Sequence, residues 1–339
     1  PNVQMAAVAL ALFAGIISAF VDNVATVLMV APVALAICKK LNTNPVPFII
    51  SIAVSSNLQG AATLVGDTTA IMLGSYADMS FLDFFWYKGR PGIFFAVELG
   101  AVASALILAW LFRKEKKPID RATQLTPVTD YVPTVLLAGM ILLLISASFL
   151  PSKPDITNGL ICVTLFVIGM VYTYVRTRKT EAFTGPIKSI DFETIGLLLG
   201  LFLVIGGITH MGVVDAAAGL LAKMGGGNVF LIYTVIVWAS VLFSAFIDNI
   251  PYVATMLPVV TGLASTLGID PTLLYFGLLS GATLGGNMTP IGASANIAGI
   301  GILRREGYEV KTGDFCRIGI PFTLAAVIPA YIYFWVLFA

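Results

Sequence analysis

Residues Ser18–Pro32 read SAFVDNVATVLMVAP, and Ser244–Pro258 read SAFIDNIPYVATMLP. Ser, Ala, Phe, Asp, Asn and the closing Pro recur at the same relative positions, 226 residues apart. A match of this length around two polar residues marks an internal repeat. Each copy sets an acid and an amide between two apolar arms. Residues 5–38 are too long for one span of about 20 residues, and a single span would leave Asp22 in hydrocarbon. Folded as a re-entrant hairpin, the stretch has arms of about 15 residues with Asp22 and Asn23 at the tip. Such irregular backbone is tolerated at membrane depth only where protein or water covers it.

The membrane setting follows from composition. Of 339 residues 58% are hydrophobic and 11% charged, and the mean hydropathy is +0.95. Soluble domains carry roughly 25% charged residues. Cys38, Cys162 and Cys316 are too far apart for a metal or redox motif and read as small buried hydrophobes. The run before the first motif is short, which predicts a first repeat lacking its leading ~80–100 residues. No charged segment with a cleavage site precedes it, so no signal peptide is expected.

Lys39-Lys40 marks a surface, and residues 45–77 form a second over-long apolar stretch with SSNLQGAATLVGDTT at its centre. Gly60, Gly66 and the polar Asn57, Asp67, Thr68 and Thr69 argue for a helix broken at mid-membrane, where backbone groups are freed to hold ions. The aromatic segment FLDFFWY reads as interfacial. A span over 91–112 contains Glu98 and ends at RKEKK. Spans at 131–150, 158–175 and 192–208, a hairpin at 229–261, a broken helix at 271–303 and a last span at 316–338 complete the layout. The expected domains are a first repeat over 1–117, a cytoplasmic linker over 118–130 and a second repeat over 131–339. Traced across the membrane, this layout puts 15 of the 19 Lys and Arg on one side, with Lys88, Arg90, Lys153 and Lys223 on the other. The rich side is then cytoplasmic, the C-terminus external, and the hairpins enter from opposite faces. The fold class is an all-α polytopic membrane protein of inverted repeats, each with a re-entrant helical hairpin and a discontinuous transmembrane helix.

ATLVGDTTAI at 62–71 aligns with ATLGGNMTPI at 282–291, an offset of 220 that pairs Asp67 with Asn287 and Thr69 with Thr289. The candidate binding residues are therefore Asp22, Asn23, Thr26, Asn57, Asp67, Thr68 and Thr69 from the first half. Asp248, Asn249, Asn287, Thr289, Ser294 and Asn296 come from the second. Carboxylate, amide and hydroxyl oxygens suit Na⁺, with Asp22, Asn23, Asp67, Asp248 and Asn249 as its candidate ligands, or a carboxylate takes a proton. Helix N-termini suit an anion instead. The plainer reading makes the acids helix caps and the amides turn formers. Glu98 and Asp215 are weaker candidates, Asp215 reading as a helix start, and His210 reads as solvated at a span end.

These stretches, together with GATLGGNMTPIGASANIAG, resemble the arsenite permease and melanosomal P protein branch of the ion transporter superfamily, which also holds citrate, dicarboxylate and sodium/proton carriers. The resemblance covers essentially the whole chain. It implies an inverted-repeat secondary carrier, a homodimer with a scaffold portion and a mobile portion, and an elevator-like motion. Dicarboxylate carriers of that superfamily have Ser-Asn-Thr at each tip. Here Asp22 and Asp248 stand in the Ser place, Asn23 and Asn249 are kept, and neither Thr26 nor Tyr252 reproduces the Thr.

The expected function is secondary transport of a small inorganic ion coupled to H⁺ or Na⁺ in the cell inner membrane. An arsenite-like or carboxylate anion permease is the alternative. Beyond a bound Na⁺ no cofactor is expected; the partners are the ion, the bilayer and a second copy, with no nucleic acid. An enzyme is disfavoured by a single His and the lack of a metal cluster, and no GK[ST] follows the glycines to make a phosphate loop. A channel fits the closed polar tips less well than a carrier does.

Overall fold

The computed structural model of the chain describes residues 2–113, 130–150, 154, 156–188, 190 and 192–339. Among these residues there are fifteen α-helices. α1 (Val3–Ser18) and α2 (Asn23–Leu41) make the first hairpin, α3 (Val46–Gly60) and α4 (Thr68–Tyr76) the first broken helix, and α5 (Ile93–Leu111) follows. Then come α6 (Val132–Ser148), α7 (Thr157–Thr177), α8 (Glu181–Lys188), α9 (Phe192–His210) and α10 (Val213–Gly225). α11 (Val229–Ser244) and α12 (Asn249–Leu267) make the second hairpin, α13 (Thr272–Gly285) and α14 (Ser294–Arg305) the second broken helix, and α15 (Thr312–Phe338) closes the chain.

The chain divides into two compact units. One comprises Pro1–Met79, Asp83–Asp120 and Leu201–Ala339, the other Ser80–Leu82 and Arg121–Gly200. The larger holds both hairpins and both broken helices. Within the smaller, Asp130 accepts from the Tyr172 hydroxyl at 3.2 Å and pairs with Arg176. Of the expected linker only Asp130 lies among the described residues, and of the PSKPD turn only Pro154.

Among the described residues, five helices (α2, α5, α7, α12 and α15) are long and apolar enough to cross a membrane. The second hairpin arms, at 19 residues each, exceed the expected ~15. Pro32 and Pro258 lie inside these helices without ending them. α10 is the helix whose start Asp215 marks in the sequence, though no span is expected there. The last part of α9 and α10 bend by 69° about a short break, where Gly212 has φ +75°, a left-handed conformation open to glycine. Asp215 lies in the first turn of α10 as expected, and His210 is exposed at the end of α9.

Small residues set the packing of the larger unit. α1 lies against α3 and α11 against α13. A Cβ added at Gly281 would sit 2.5 Å from the Val237 carbonyl oxygen, and one at Gly285 would sit 2.6 Å from Val241 Cα. Backbones can approach this closely only where one helix carries glycine. α5 packs on α15 in the same way. The Ser104 hydroxyl donates to the Phe322 carbonyl at 3.0 Å, and a Cβ at Gly100 would meet the Ala326 carbonyl at 3.0 Å. The outer face of α5 exposes Leu99, Val102 and Leu106, as expected of a helix in lipid.

The interfacial aromatic segment folds as a 3₁₀ turn (Phe81–Phe84) and a two-residue strand pair, β1 (Trp86–Tyr87) with β2 (Arg90–Pro91). Lys88 (φ +49°) and Gly89 (φ +78°) supply the two positive dihedrals of a type I′ turn. Lys88 Nζ reaches Asp270 at 2.6 Å and the Thr272 hydroxyl at 3.2 Å, tying this turn to the start of α13. Partial burial pushes the Asp270 carboxyl up, but Lys88 and Thr272 outweigh it and hold it below the usual carboxylate range. A depressed carboxyl stabilises the fold at pH values above its unfolded pKa of about 3.9, and the gain is lost as pH falls through the lower folded value. Both side chains are half exposed, so Lys88→Met is expected to cost no more than about 1 kcal/mol at neutral pH, and less in strong acid, by thermal unfolding.

The repeat keeps one register throughout. Adding 226 to the bounds of α1 and α2 gives those of α11 and α12, and Thr68, the start of α4, maps onto Ser294, the start of α14. This corrects the offset of 220 read between the broken helices. The Thr63 hydroxyl donates to the Ala19 carbonyl and the Thr289 hydroxyl to the Ala245 carbonyl, so Thr289 is the counterpart of Thr63, not of Thr69. Gly66 and Gly292 are likewise equivalent, each pressed onto the backbone of its own hairpin tip. Asp67 therefore corresponds to Ala293, and Asn287 to Ala61.

Candidate functional site

Each tip begins with a capping acid. Asp22 Oδ1 accepts from the amides of Val24 at 3.0 Å and Ala25 at 3.1 Å, which fixes the first turn of α2. Asp248 Oδ1 accepts from the Ile250 amide at 3.0 Å, and its Oδ2 accepts from the Ser294 hydroxyl at 2.8 Å. Asp22 is exposed and Asp248 partly so. Asp22→Ala is expected to cost about 1 kcal/mol in thermal unfolding, and Asp22→Asn only a few tenths, because an amide oxygen caps nearly as well.

One residue further on, the asparagines turn inward. Asn23 and Asn249 are 5% and 3% exposed. Asn23 donates to Asn57 Oδ1 at 2.9 Å. Asn57, fully buried, donates in turn to the Thr283 carbonyl at 2.7 Å and to Asn287 Oδ1 at 3.0 Å. Asn287 donates to the Val54 carbonyl at 3.1 Å. This amide chain runs from the first tip through α3 to the end of α13. The two halves are thus joined by polar bonds between buried side chains, where an unsatisfied amide would cost about 1–3 kcal/mol.

A second chain centres on Asp67. Its Oδ2 accepts from the Thr69 hydroxyl at 2.9 Å and, at 3.4 Å, from the Asn249 amide of the other half. Thr69 Oγ1 lies 2.9 Å from Thr283 Oγ1. Since the Thr69 proton goes to Asp67, Thr283 is the donor in that second contact. Asp67 is 3% exposed, and the charges of Asp22 and Asp248 both act on it. The ion pairs found among the described residues, Lys39–Glu306, Lys88–Asp270 and Arg176–Asp130, all lie elsewhere. A buried carboxylate held by neutral donors has one remaining way to balance its charge, which is to take a proton or a cation.

The other candidates divide. Thr26 is buried and its hydroxyl donates to the Val21 carbonyl at 3.4 Å; Thr68 is half-buried at the start of α4. Thr289 holds the second tip. Asn296 bridges the break in the second half, donating to the Gly286 and Thr289 carbonyls at 3.0 Å each. Thr283 belongs to the site and was missed. Keeping the hairpin offset of 226 would have found it, since that register pairs it with Asn57. No group of three or more His, Cys, Asp or Glu close enough to hold a metal occurs among the described residues.

Paired helical hairpins and broken helices in a chain of this hydropathy define a polytopic membrane transport protein. A family model described as citrate transporter (CitMHS) matches residues 2–278 and 159–339, and the chain belongs to this family. It is 32% identical over 325 residues to the uncharacterized transporter Rv2685 of Mycobacterium tuberculosis, covering 94% of this chain and 74% of that one. It is 29% identical over 387 residues to the human P protein, covering 92% of this chain and 46% of that one. Among solved structures, the YdaH transporter of Alcanivorax borkumensis shares the fold. The TM-score is 0.68 at 14% identity, over 99% of this chain and 78% of that one.

Proposed function

We propose that the chain is a secondary active transporter in which Asp67 is the coupling group, binding H⁺ or Na⁺ while a small ion is carried. The observation behind this reading is the buried Asp67 carboxylate, shared between Thr69 of its own half and Asn249 of the other, with Thr283 behind Thr69. Asp67, Thr69, Asn249 and Thr283 supply carboxylate, hydroxyl and amide oxygens of the kind Na⁺ takes. Asp22 and Asp248, spent on capping, act on that site through their field. In the second half Ala293 stands where Asp67 would be, so the coupling ion has one seat. The carrier is expected to lie in the cell inner membrane as a homodimer of inverted repeats. Its basic loops are cytoplasmic and its C-terminus external, and it works by an elevator-like alternation.

One observation favours an anion as the carried solute. The first turn of α14 follows Ala293, which offers no capping side chain, so its amides suit a carboxylate. A carboxylate such as citrate, named in the family's description, would then travel with the ion at Asp67. The test uses purified protein in liposomes with an internal pH dye, under imposed Na⁺ or Li⁺ gradients with and without external citrate. Proton or citrate flux that depends on the gradient and vanishes in Asp67→Asn supports the reading. Flux unaffected by the imposed gradients would sink it.

A further inference from the structure

Gly100 of α5 lies against Ala326 of α15, its own counterpart at the offset of 226. The last helices therefore keep the register of the repeat, and a place in one half can be compared with its counterpart in the other. The turn that follows α4 fills one such place. The ring centres of Tyr87 and Phe276 are 5.6 Å apart, and those of Phe276 and Phe338 are 5.1 Å apart. Lys88 reaches Asp270 and Thr272. Arg90 donates to the Leu337 carbonyl, and its guanidinium carbon lies 5.9 Å from the centre of the Phe338 ring. A ring and two cations thus plug the gap between the start of α13 and the end of α15.

Subtracting 226 turns the five receiving residues into Asn44, Val46, Ile50, Leu111 and Phe112, at the start of α3 and the end of α5. There the gap is open. All five line a cavity of about 390 Å³, whose other wall includes Glu309, Asp314, Arg317 and Ile318. The plug is missing because the chain takes another course. Residues 312–318, the counterparts of 86–92, are already the first turns of α15. Gly313 and Cys316 stand where the first half has Tyr87 and Arg90, and a Cβ added at Gly313 would meet nothing within 4 Å.

The volume falls within the range of ligand sites, about 300–1,000 Å³. Val46, Ile50, Phe112 and Ile318 make its lining apolar and are buried. Glu309, Asp314 and Arg317 are exposed, and none of them joins an ion pair among the described residues. Two carboxylates beside one guanidinium complement a group that carries both an ammonium and a phosphate. α5 and α15 are both long and apolar enough to span, and the cavity lies where one ends and the other begins. Beside it Trp110 is exposed, with the Arg113 guanidinium 4.3 Å from its ring centre, an arrangement suited to headgroup depth.

We propose that this cavity is a lipid site that seats the headgroup of phosphatidylethanolamine, its ammonium between Asp314 and Glu309 and its phosphate on Arg317. The lipid supplies from outside what Tyr87, Lys88 and Arg90 supply from within at the counterpart place. The site goes beyond the transport reading, and its test needs no transport.

Purified protein in detergent is titrated with dioleoyl phosphatidylethanolamine, and bound lipid is counted by native mass spectrometry. Phosphatidylcholine and phosphatidylglycerol with the same chains are compared; the first has no N–H to donate and the second no cation. One saturable site is expected, with phosphatidylethanolamine held about tenfold more tightly than either, the worth of one charged hydrogen bond. Asp314→Asn should bring it down to the phosphatidylcholine level, and Arg317→Gln should weaken both lipids alike. Lys88→Met, at the filled counterpart, should change neither. A diazirine-bearing phosphatidylethanolamine should crosslink within residues 309–318 or at Leu111 and Phe112. Equal affinity for the three lipids, unchanged binding in Asp314→Asn, or crosslinks confined to other segments would overturn the proposal. Dodecylamine bound as tightly as phosphatidylethanolamine, and indifferent to Arg317→Gln, would assign the cavity to a soluble amine and overturn it too.

Discussion

Asp67→Asn is expected to leave a folded protein whose coupled flux is no greater than that of empty liposomes. The substitution is isosteric, and the new amide oxygen can still accept from the Thr69 hydroxyl. The cost in stability is about 1 kcal/mol, the worth of a buried hydrogen bond made weaker or turned. What disappears is the ability to bind a proton or cation at the buried carboxylate on which both halves converge. Thermal unfolding and flux measured on one preparation separate the two effects. Asp22→Asn is the matched control, because it removes an acid from the neighbouring tip while keeping the cap. Equal loss of flux in both variants would move the coupling role back to the tip acids.

Gly66→Ala and Gly292→Ala are expected to be strongly damaging single-methyl changes, and equally so. A Cβ at Gly66 would sit 2.6 Å from the Gly60 carbonyl oxygen, 2.8 Å from that of Ser18 and 2.9 Å from that of Ala19. At Gly292 the same three contacts, to Gly286, Ser244 and Ala245, are 2.6, 2.7 and 2.9 Å. All are rigid backbone of the break or the tip, so the hairpin must move as a body. A cost of about 3 kcal/mol, at the upper end for overpacking, is expected, with loss of flux because the tip asparagines ride on the displaced turn. Gly139→Ala in α6, where nothing lies within 4 Å, should instead stabilise by roughly 0.5–1 kcal/mol. Thermal unfolding of the three variants checks the comparison; a tolerant Gly66 beside a sensitive Gly292 would contradict the equivalence of the repeats.

Much of this architecture is legible in the sequence because the polar tips interrupt runs with no other reason to carry charge. Asp22-Asn23 and Asp248-Asn249 announce both hairpins, and Gly60 with Gly66 announces the first break. The register of the second broken helix is misread for a physical reason. The string ATL is repeated at 62–64 and 282–284, but what the fold preserves is the docking of a break onto its tip. That docking needs a hydroxyl at Thr63 or Thr289 and no side chain at Gly66 or Gly292. The tip acids look like ligands in sequence, yet their oxygens are drawn to the amides of the next turn. Thr283 passes as apolar filler until its hydroxyl is found behind Thr69.

The bonds that cross between the halves also set an order of events during synthesis. Asp67 waits for Asn249, 182 residues downstream. Asn57 waits for Asn287, 230 residues downstream. At ordinary elongation rates of about 5–20 residues per second, the first half spends roughly 10–40 s in the membrane with a carboxylate and an amide not yet answered. During that interval its polar centre must stay open to water, or be sheltered by whatever machinery inserts it. The nascent first half is thus the stage at which this chain is most exposed to misassembly, and the arrival of α12 and α13 ends it.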